Sequence, residues 1–329
     1  MTEKKRKVNK SCLTLPLRIL ATGAIVAMLT SMTPRPVSSY SAEHYGETRI
    51  TEDVGRSTMP GVSYHGDKVT YRLPGIPSRN LYYYDTQSIS LGGTSLGERG
   101  AFINGIYCIP VRAYFTALGA AVSYNSSTKT MTVRTNGLNL SLSDGGYVIY
   151  ANDRPIFGFT PNVVMSNGRM YAPLSSLMKI TGQRGTVSGG RINIDGAFSP
   201  LAPASRYYRD DEVFWLARII TAEARGESLL GQIAVGNVIM NRVASPLYSN
   251  TIYGVIFDRK WGVQFSPILD GSIYNTPTYT ATLAAKIILE GTRLSGDSLF
   301  FLNPVTAQSS WIVKSREYLY TIGGHDFYA

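Results

Sequence analysis

Val213-Phe-Trp-Leu-Ala-Arg-Ile-Ile-Thr-Ala-Glu-Ala-Arg-Gly226 is the stretch on which the fold turns. Its apolar residues at 213, 216, 217 and 220 repeat at i, i+3, i+4 and i+7, the stripe of an amphipathic helix. Glu223 falls three residues after Ile220 and seven after Leu216, so a carboxyl group continues the apolar stripe. Asp210 and Asp211 are expected to supply the N-cap, and Gly226 to stop the helix one turn past the carboxylate. A carboxyl pressed against apolar neighbours loses solvation of its charged form, which raises its pKa. A Glu that keeps its proton near neutrality can act as a general acid, as cleavage of a glycosidic bond requires. The plainer reading is that Glu223 swings to water or pairs with Arg218, Arg225 or Arg242. Spacing alone does not separate the two.

Downstream, Leu230, Ile233, Ala234, Val238 and Met240 mark a second buried helix that ends before Pro246, with Gly231 and Gly236 permitting close packing against the first. A third helix is predicted over about 278–290, after Thr276 and Pro277 and closed by Gly291. Gln264-Phe-Ser-Pro-Ile-Leu-Asp-Gly271 between them reads as a loop. Glu227, four residues beyond Glu223, is expected to face solvent or cap the second helix, and Asp270 to close a turn. Residues 208–329 thus read as one mainly α domain.

Upstream the texture changes. Residues 43–77 are polar, contain Gly and Pro, and read as a linker. Residues 78–196 read as short strands, turns and one or two helices. Asn104-Gly-Ile-Tyr-Cys-Ile-Pro-Val-Arg-Ala-Tyr-Phe-Thr-Ala-Leu-Gly119 has the pattern strand, helix, glycine cap, and two alternating strands follow in 121–133. The same order returns in Asn167-Gly-Arg-Met-Tyr-Ala-Pro-Leu-Ser-Ser-Leu-Met-Lys-Ile-Thr-Gly182 and then 186–194, about 63 residues on, as in a duplicated α+β module. Residues 197–207, rich in Pro, Ala and Ser, read as a second linker.

At 329 residues the chain has room for about two domains. It opens with Lys4-Lys-Arg-Lys7, Lys10 and Arg18, then a largely apolar run from Ile19 to Met32. That run is short for a membrane span of about 20 residues and suits an exported leader over 1–42, either cleaved near Val37-Ser-Ser39 or kept as an anchor. The leader holds seven of the 32 Lys/Arg, so much of the +10 net charge belongs to it. Residues 208–329, with ten basic and eleven acidic side chains, are nearly neutral. Nothing here points to nucleic acid, and membrane contact is expected only through an uncleaved leader. With Cys12 in the leader, Cys108 stands alone, which excludes an intramolecular disulfide framework. It lies in an alternating strand without a partner histidine in view, against a thiol nucleophile. Only His44, His65 and His325 are present, too scattered for a zinc amidase. No metal and no cofactor are expected.

Glu223-Ala-Arg-Gly-Glu227, Gly231-Gln-Ile-Ala-Val-Gly-Asn-Val-Ile-Met-Asn-Arg242, Gln264-Phe-Ser266, Asp270-Gly271, Asn303-Pro304 and Ile322-Gly-Gly-His-Asp-Phe-Tyr328 occur in one order and spacing. Together they resemble the cell wall hydrolase family of spore-cortex-lytic enzymes over nearly all of 212–328. The resemblance implies a lysozyme-like helical fold that cleaves peptidoglycan between N-acetylmuramic acid and N-acetylglucosamine, with Glu223 as the catalytic acid. The duplicated module resembles the copper amine oxidase N-terminal-like stalk domain over roughly 80–195. No copper is inferred from it, because the ligand types are missing. A spacer or wall-contact role is the expectation.

The scheme that follows is a lytic transglycosylase. A hydrolase of either stereochemistry needs a second carboxylate within about 5–10 Å, and Glu223 is the one convincing acid. Gln264, Ser266, Tyr274, Asn303 and His325 are candidate substrate-binding residues, each with a packing or turn role as its alternative. Two other readings stand beside this one, a hydrolytic muramidase and a non-catalytic peptidoglycan-binding protein. Vegetative wall and spore cortex are both admissible substrates.

Overall fold

The structure, a computed structural model, describes residues 83–329 apart from 104, 159–160, 190, 261 and 308–310, together with two strands at Val62–His65 and Lys68–Tyr71. Those two strands pair antiparallel, so the stretch read as a linker contains a hairpin. The leader and most of 43–77 lie outside the described residues. Among the described residues no helix is long and apolar enough to cross a membrane.

Three long helices carry the C-terminal domain, with shorter ones at Ile252–Ile256, Pro267–Asp270 and Trp311–Ser315 beside them. The first spans Asp210–Ala224 and buries Leu216, Ala217, Ile219, Ile220, Thr221 and Ala224. Its N-cap is Arg209 rather than an aspartate, and Asp210, Asp211 and Glu212 fill the first turn. There they oppose the positive end of the helix dipole, which stabilises a terminus without a side-chain cap. The second helix, Leu229–Ala244, is capped by Ser228, whose Oγ accepts from Gly231 N at 3.2 Å. The third, Tyr279–Leu289, starts after Thr278, which accepts from Ala281 N. Gly236 is where the helices meet: a Cβ there would sit 2.4 Å from Ile288 Cδ1 and 2.7 Å from Ile220 Cδ1. Gly231 has a different use, since its missing Cβ makes room for the Glu227 side chain. The segment read as a loop after Gln264 contains a helical turn, Pro267–Asp270, followed by a 3-10 turn, Ser272–Tyr274. The chain closes with a three-stranded sheet ordered Phe300–Leu302, His325–Tyr328, Tyr318–Ile322.

The upstream module is sheet-rich. Seven strands run in the order Val164–Ser166, Arg169–Pro173, Ile106–Pro110, Thr94–Ile103, Tyr83–Leu91, Arg191–Ile194, Gly185–Ser188, antiparallel except where Arg191–Ile194 meets Tyr83–Leu91. Ile106–Pro110 leads into helix Val111–Ala117, and Arg169–Pro173 into helix Leu174–Thr181. These two strands pair directly, Ala172 opposite Ile109. Five further strands, from Ala121–Asn125 to Arg154–Phe157, form a meander in which Leu138, Leu140 and Leu142 point to the core. That period-2 alternation is what a sheet with one buried face demands.

The two modules share a core. Tyr147 and Val148 are buried in the same cluster as Leu216, Ile220 and Ile288. Beside that cluster Glu290 is clamped by Arg154 through two bonds, Nε–Oε1 at 2.7 Å and Nη2–Oε2 at 2.9 Å. Lys179 approaches at 3.2 Å and the Tyr208 hydroxyl donates to Oε1 at 2.7 Å. Burial alone would push the Glu290 carboxyl up, yet these three partners hold it below the usual carboxylate range. The Pro/Ala/Ser connector is pinned as well: Ser199 N and Leu201 N donate to Thr181 O and Ile180 O, and Ala204–Tyr207 is a helical turn. What composition presents as a spacer is a packed joint.

Candidate active site

Glu223 occupies the last turn of the Asp210–Ala224 helix, half-buried. Among the described residues no hydrogen bond or ion pair engages its carboxyl. Burial first, and then the charge of Asp270, raise its pKa against the opposing pull of Arg242, from 4.5 to about 7 in all. The group therefore keeps its proton up to about neutrality, the condition for a general acid.

The residues around it come from three elements. Arg218, five positions earlier on the same helix, donates through Nη1 to Ile273 O at 3.3 Å and lies over the Phe214 ring. That bond fastens the Ser272–Tyr274 turn against the helix. Asp270, just before it, is fully exposed; its Oδ1 accepts from Ser272 N at 2.8 Å and Gly271 takes a left-handed φ of 79°. Bonds from Ser272, side chain first and then backbone, keep the Asp270 carboxyl below its ordinary pKa. Asp270 closes a turn, as its sequence context suggests, and its charge also raises the pKa of Glu223. The second function is not visible in the sequence, where a turn aspartate and a site aspartate look alike.

Arg242 comes from the second helix and is 4% exposed. Its Nε donates to Leu299 O at 2.8 Å, and the guanidinium carbon lies 5.0, 5.1 and 5.3 Å from the rings of Tyr248, Phe265 and Phe300. Of the three arginines that spacing offers Glu223, this is the one whose charge acts on it. Arg218 donates through Nη1 to Ile273 O while its buried Nε has no partner among the described residues, and Arg225 is exposed beyond the helix end.

The other candidate residues divide. Tyr274 is 59% exposed, its ring 6.4 Å from that of Trp215, which in turn packs on Tyr253 and Phe257. Gln264 bonds locally, Nε2 to Gly262 O at 3.1 Å, and Ser266 is exposed at the start of the Pro267–Asp270 turn. Asn303 folds its own loop, with Oδ1 accepting from Val305 N at 2.9 Å. His325 is buried edge-on to Phe301, with Nδ1 3.4 Å from Glu227 Oε1. Burial keeps its imidazole below the ordinary pKa against the pull of Glu227. Glu227 neither faces solvent nor caps a helix. Its Oε2 accepts from Gly324 N at 3.0 Å, and any Cβ on Gly323 or Gly324 would collide with that carboxylate. Glu227, the Gly-Gly pair and His325 thus tie the closing sheet to the loop after Glu223.

The profile described as Cell Wall Hydrolase matches residues 226–328. The C-terminal domain belongs to the cell wall hydrolase family. The matched span opens three residues after Glu223. The copper amine oxidase N-terminal domain matches 98–192, and the upstream module is of that kind. The residues there do not fit a copper centre: Cys108 is buried with its thiol pushed up to about 12, and no described group of three His, Cys, Asp or Glu side chains gathers. The cell wall hydrolase domain is 41% identical over 120 residues to a spore cortex-lytic enzyme of Halalkalibacterium halodurans, covering 36% of this chain and 35% of that protein. It is 40% identical over 120 residues to one of Bacillus cereus, 36% and 45% of the respective lengths. The chain thus spans less than half the length of either. Among solved structures, the catalytic domain of the germination-specific lytic transglycosylase SleB from Bacillus anthracis is 39% identical, with a TM-score of 0.34, over 37% of this chain and 97% of that one.

Proposed function

We propose that this protein cleaves peptidoglycan glycan strands between N-acetylmuramic acid and N-acetylglucosamine, as a lytic transglycosylase with Glu223 as its acid. The observation that carries the reading is a half-buried carboxyl in the last turn of a helix, without a hydrogen-bond or ion-pair partner among the described residues and displaced to about 7 by burial and by the charge of Asp270. The membership of its domain in the cell wall hydrolase family and its likeness to spore cortex-lytic enzymes support the substrate class. Glu223 gives its proton to the bridging oxygen, and the C1–O bond breaks with its electron pair going to that oxygen. The Glu223 carboxylate then takes the proton of the muramoyl 6-hydroxyl as that oxygen bonds to C1. No water is consumed.

Tyr274 is exposed and offers a sugar-stacking face, and Gln264 and Ser266 lie on the same segment as Asp270. His325 acts in this reading through its contact with Glu227, and Asn303 through the loop it folds. The domain boundaries we adopt are 78–196 for the stalk-like module, read as a duplicated unit on the strength of its two paired strand-and-helix units, and 208–329 for the catalytic domain. An exported leader would deliver both to the wall or the spore. Asp270 favours one second reading, a hydrolytic muramidase, since a second carboxylate in electrostatic reach could hold a water or steady an oxocarbenium ion. Digests of peptidoglycan by the purified protein decide between them. 1,6-anhydromuramoyl ends are expected, and mass spectra with reducing ends alone would establish the hydrolase.

A further inference from the structure

Arg242 presents an unresolved charge. A guanidinium at 4% exposure has left water almost completely, which is costly unless an anion or a full set of acceptors replaces the solvent. Only Nε is answered among the described residues, by Leu299 O. Nη1 is buried and has no partner among the described residues. Three ring faces at about 5 Å supply a weak cation–π field, which lessens the cost without supplying an acceptor. Four groups answer to this site from the surrounding elements. Tyr248 and Asp258 act on Arg242 from the segment that follows its helix, and Glu223 from the first helix. Asp270 acts on Glu223 from the Pro267–Asp270 turn. Asp258 is turned to its own loop, where its Oδ1 accepts from Lys260 N at 2.8 Å. Glu223, while it keeps its proton, adds no negative charge to answer the guanidinium.

We infer that Arg242 is the fixed counter-charge for the carboxylate that Glu223 becomes when its proton passes to the leaving oxygen, and is therefore a positioning residue of the reaction. The inference rests on Glu223 being the proton donor. Before transfer the pair is a neutral acid within electrostatic reach of a cation. Afterwards it is a carboxylate within reach of the same cation, in a site of low polarity where that attraction is strong. The cation is preorganised by Leu299 and the rings, so no group has to reorient during the step. Arg242 touches neither the sugar nor the leaving oxygen in this arrangement; it acts through Glu223.

The test compares Arg242→Gln and Arg242→Lys in the full chain, following kcat on peptidoglycan against pH, with thermal unfolding recorded alongside. Removing the charge raises the pKa of Glu223, so the alkaline limb of the Gln variant moves up by about one pH unit, with kcat down at least about tenfold and KM little changed. The Lys variant keeps a cation and the alkyl stem, so its limb stays in place and kcat falls by less than about tenfold. A folded Gln variant with an unmoved limb overturns the inference. If the Gln variant does not fold, the Lys variant decides. A loss of about a hundredfold with an intact fold would show that the Leu299 bond matters and the charge does not. Glu223→Gln is run in parallel, and an active Glu223→Gln protein would remove the proton-donor reading itself, whatever Arg242 does.

Discussion

Replacing Glu223 with Gln should change how the stability of the C-terminal domain depends on pH. In the unfolded chain Glu223 titrates near 4.5, and in the folded chain near 7. Between those values the folded state holds a proton that the unfolded state has released, so stability falls as pH rises through the window. Below 4.5 and above 7 this side chain adds no slope. At about 1.36 kcal/mol per pH unit the full displacement is worth roughly 3 kcal/mol, and partial exposure reduces it to about 1–3 kcal/mol. Gln cannot titrate, so the variant should gain on the parent by that amount between pH 4.5 and 7. Urea unfolding serves as the assay, because Trp215, Trp261 and Trp311, the three tryptophans of the chain, all lie in 208–329 and report this domain. A stability difference that stays level across the window would refute the reasoning, since it would mean that Glu223 titrates as an exposed carboxylate does.

Three further outcomes follow from the packing. Arg154→Met leaves Glu290 buried without its bidentate partner and should cost about 3 kcal/mol in thermal or urea unfolding, near the low end for a broken buried pair because Lys179 remains. Gly236→Ala forces a methyl against Ile288 and Ile220 and should destabilise by about 1–3 kcal/mol by the same measurement. Asp270→Asn removes a negative charge facing Glu223, so the alkaline limb of kcat should move to lower pH, by an amount that shrinks as salt is added.

The helices were legible because burial imposes a period: Leu216, Ala217 and Ile220 recur as one face must, and Glu223 stands out for interrupting it. The paired strand-and-helix units upstream were legible for the same reason, aided by glycines at their ends. What stayed hidden depends on distance along the chain. Arg154 and Glu290 are 136 residues apart, and no local pattern tells a clamped carboxylate from a surface one. Composition suggested a spacer at 197–207, whereas its backbone donors find acceptors in helix Leu174–Thr181. Glu227 looked like a solvent or cap residue because its partners, Gly324 and His325, arrive from the far end of the chain. Asp270 is legible as a turn residue, while its effect on the Glu223 carboxyl is not, because the two are 47 positions apart in the chain.

Glu223→Gln assayed for wall binding and for release of glycan fragments, beside the unmodified chain, tests the central claim most directly. Because Gln preserves the shape and removes the proton, the variant should pellet with peptidoglycan as the parent does and release no fragments. Fragment release by the variant at the parental rate would contradict the account.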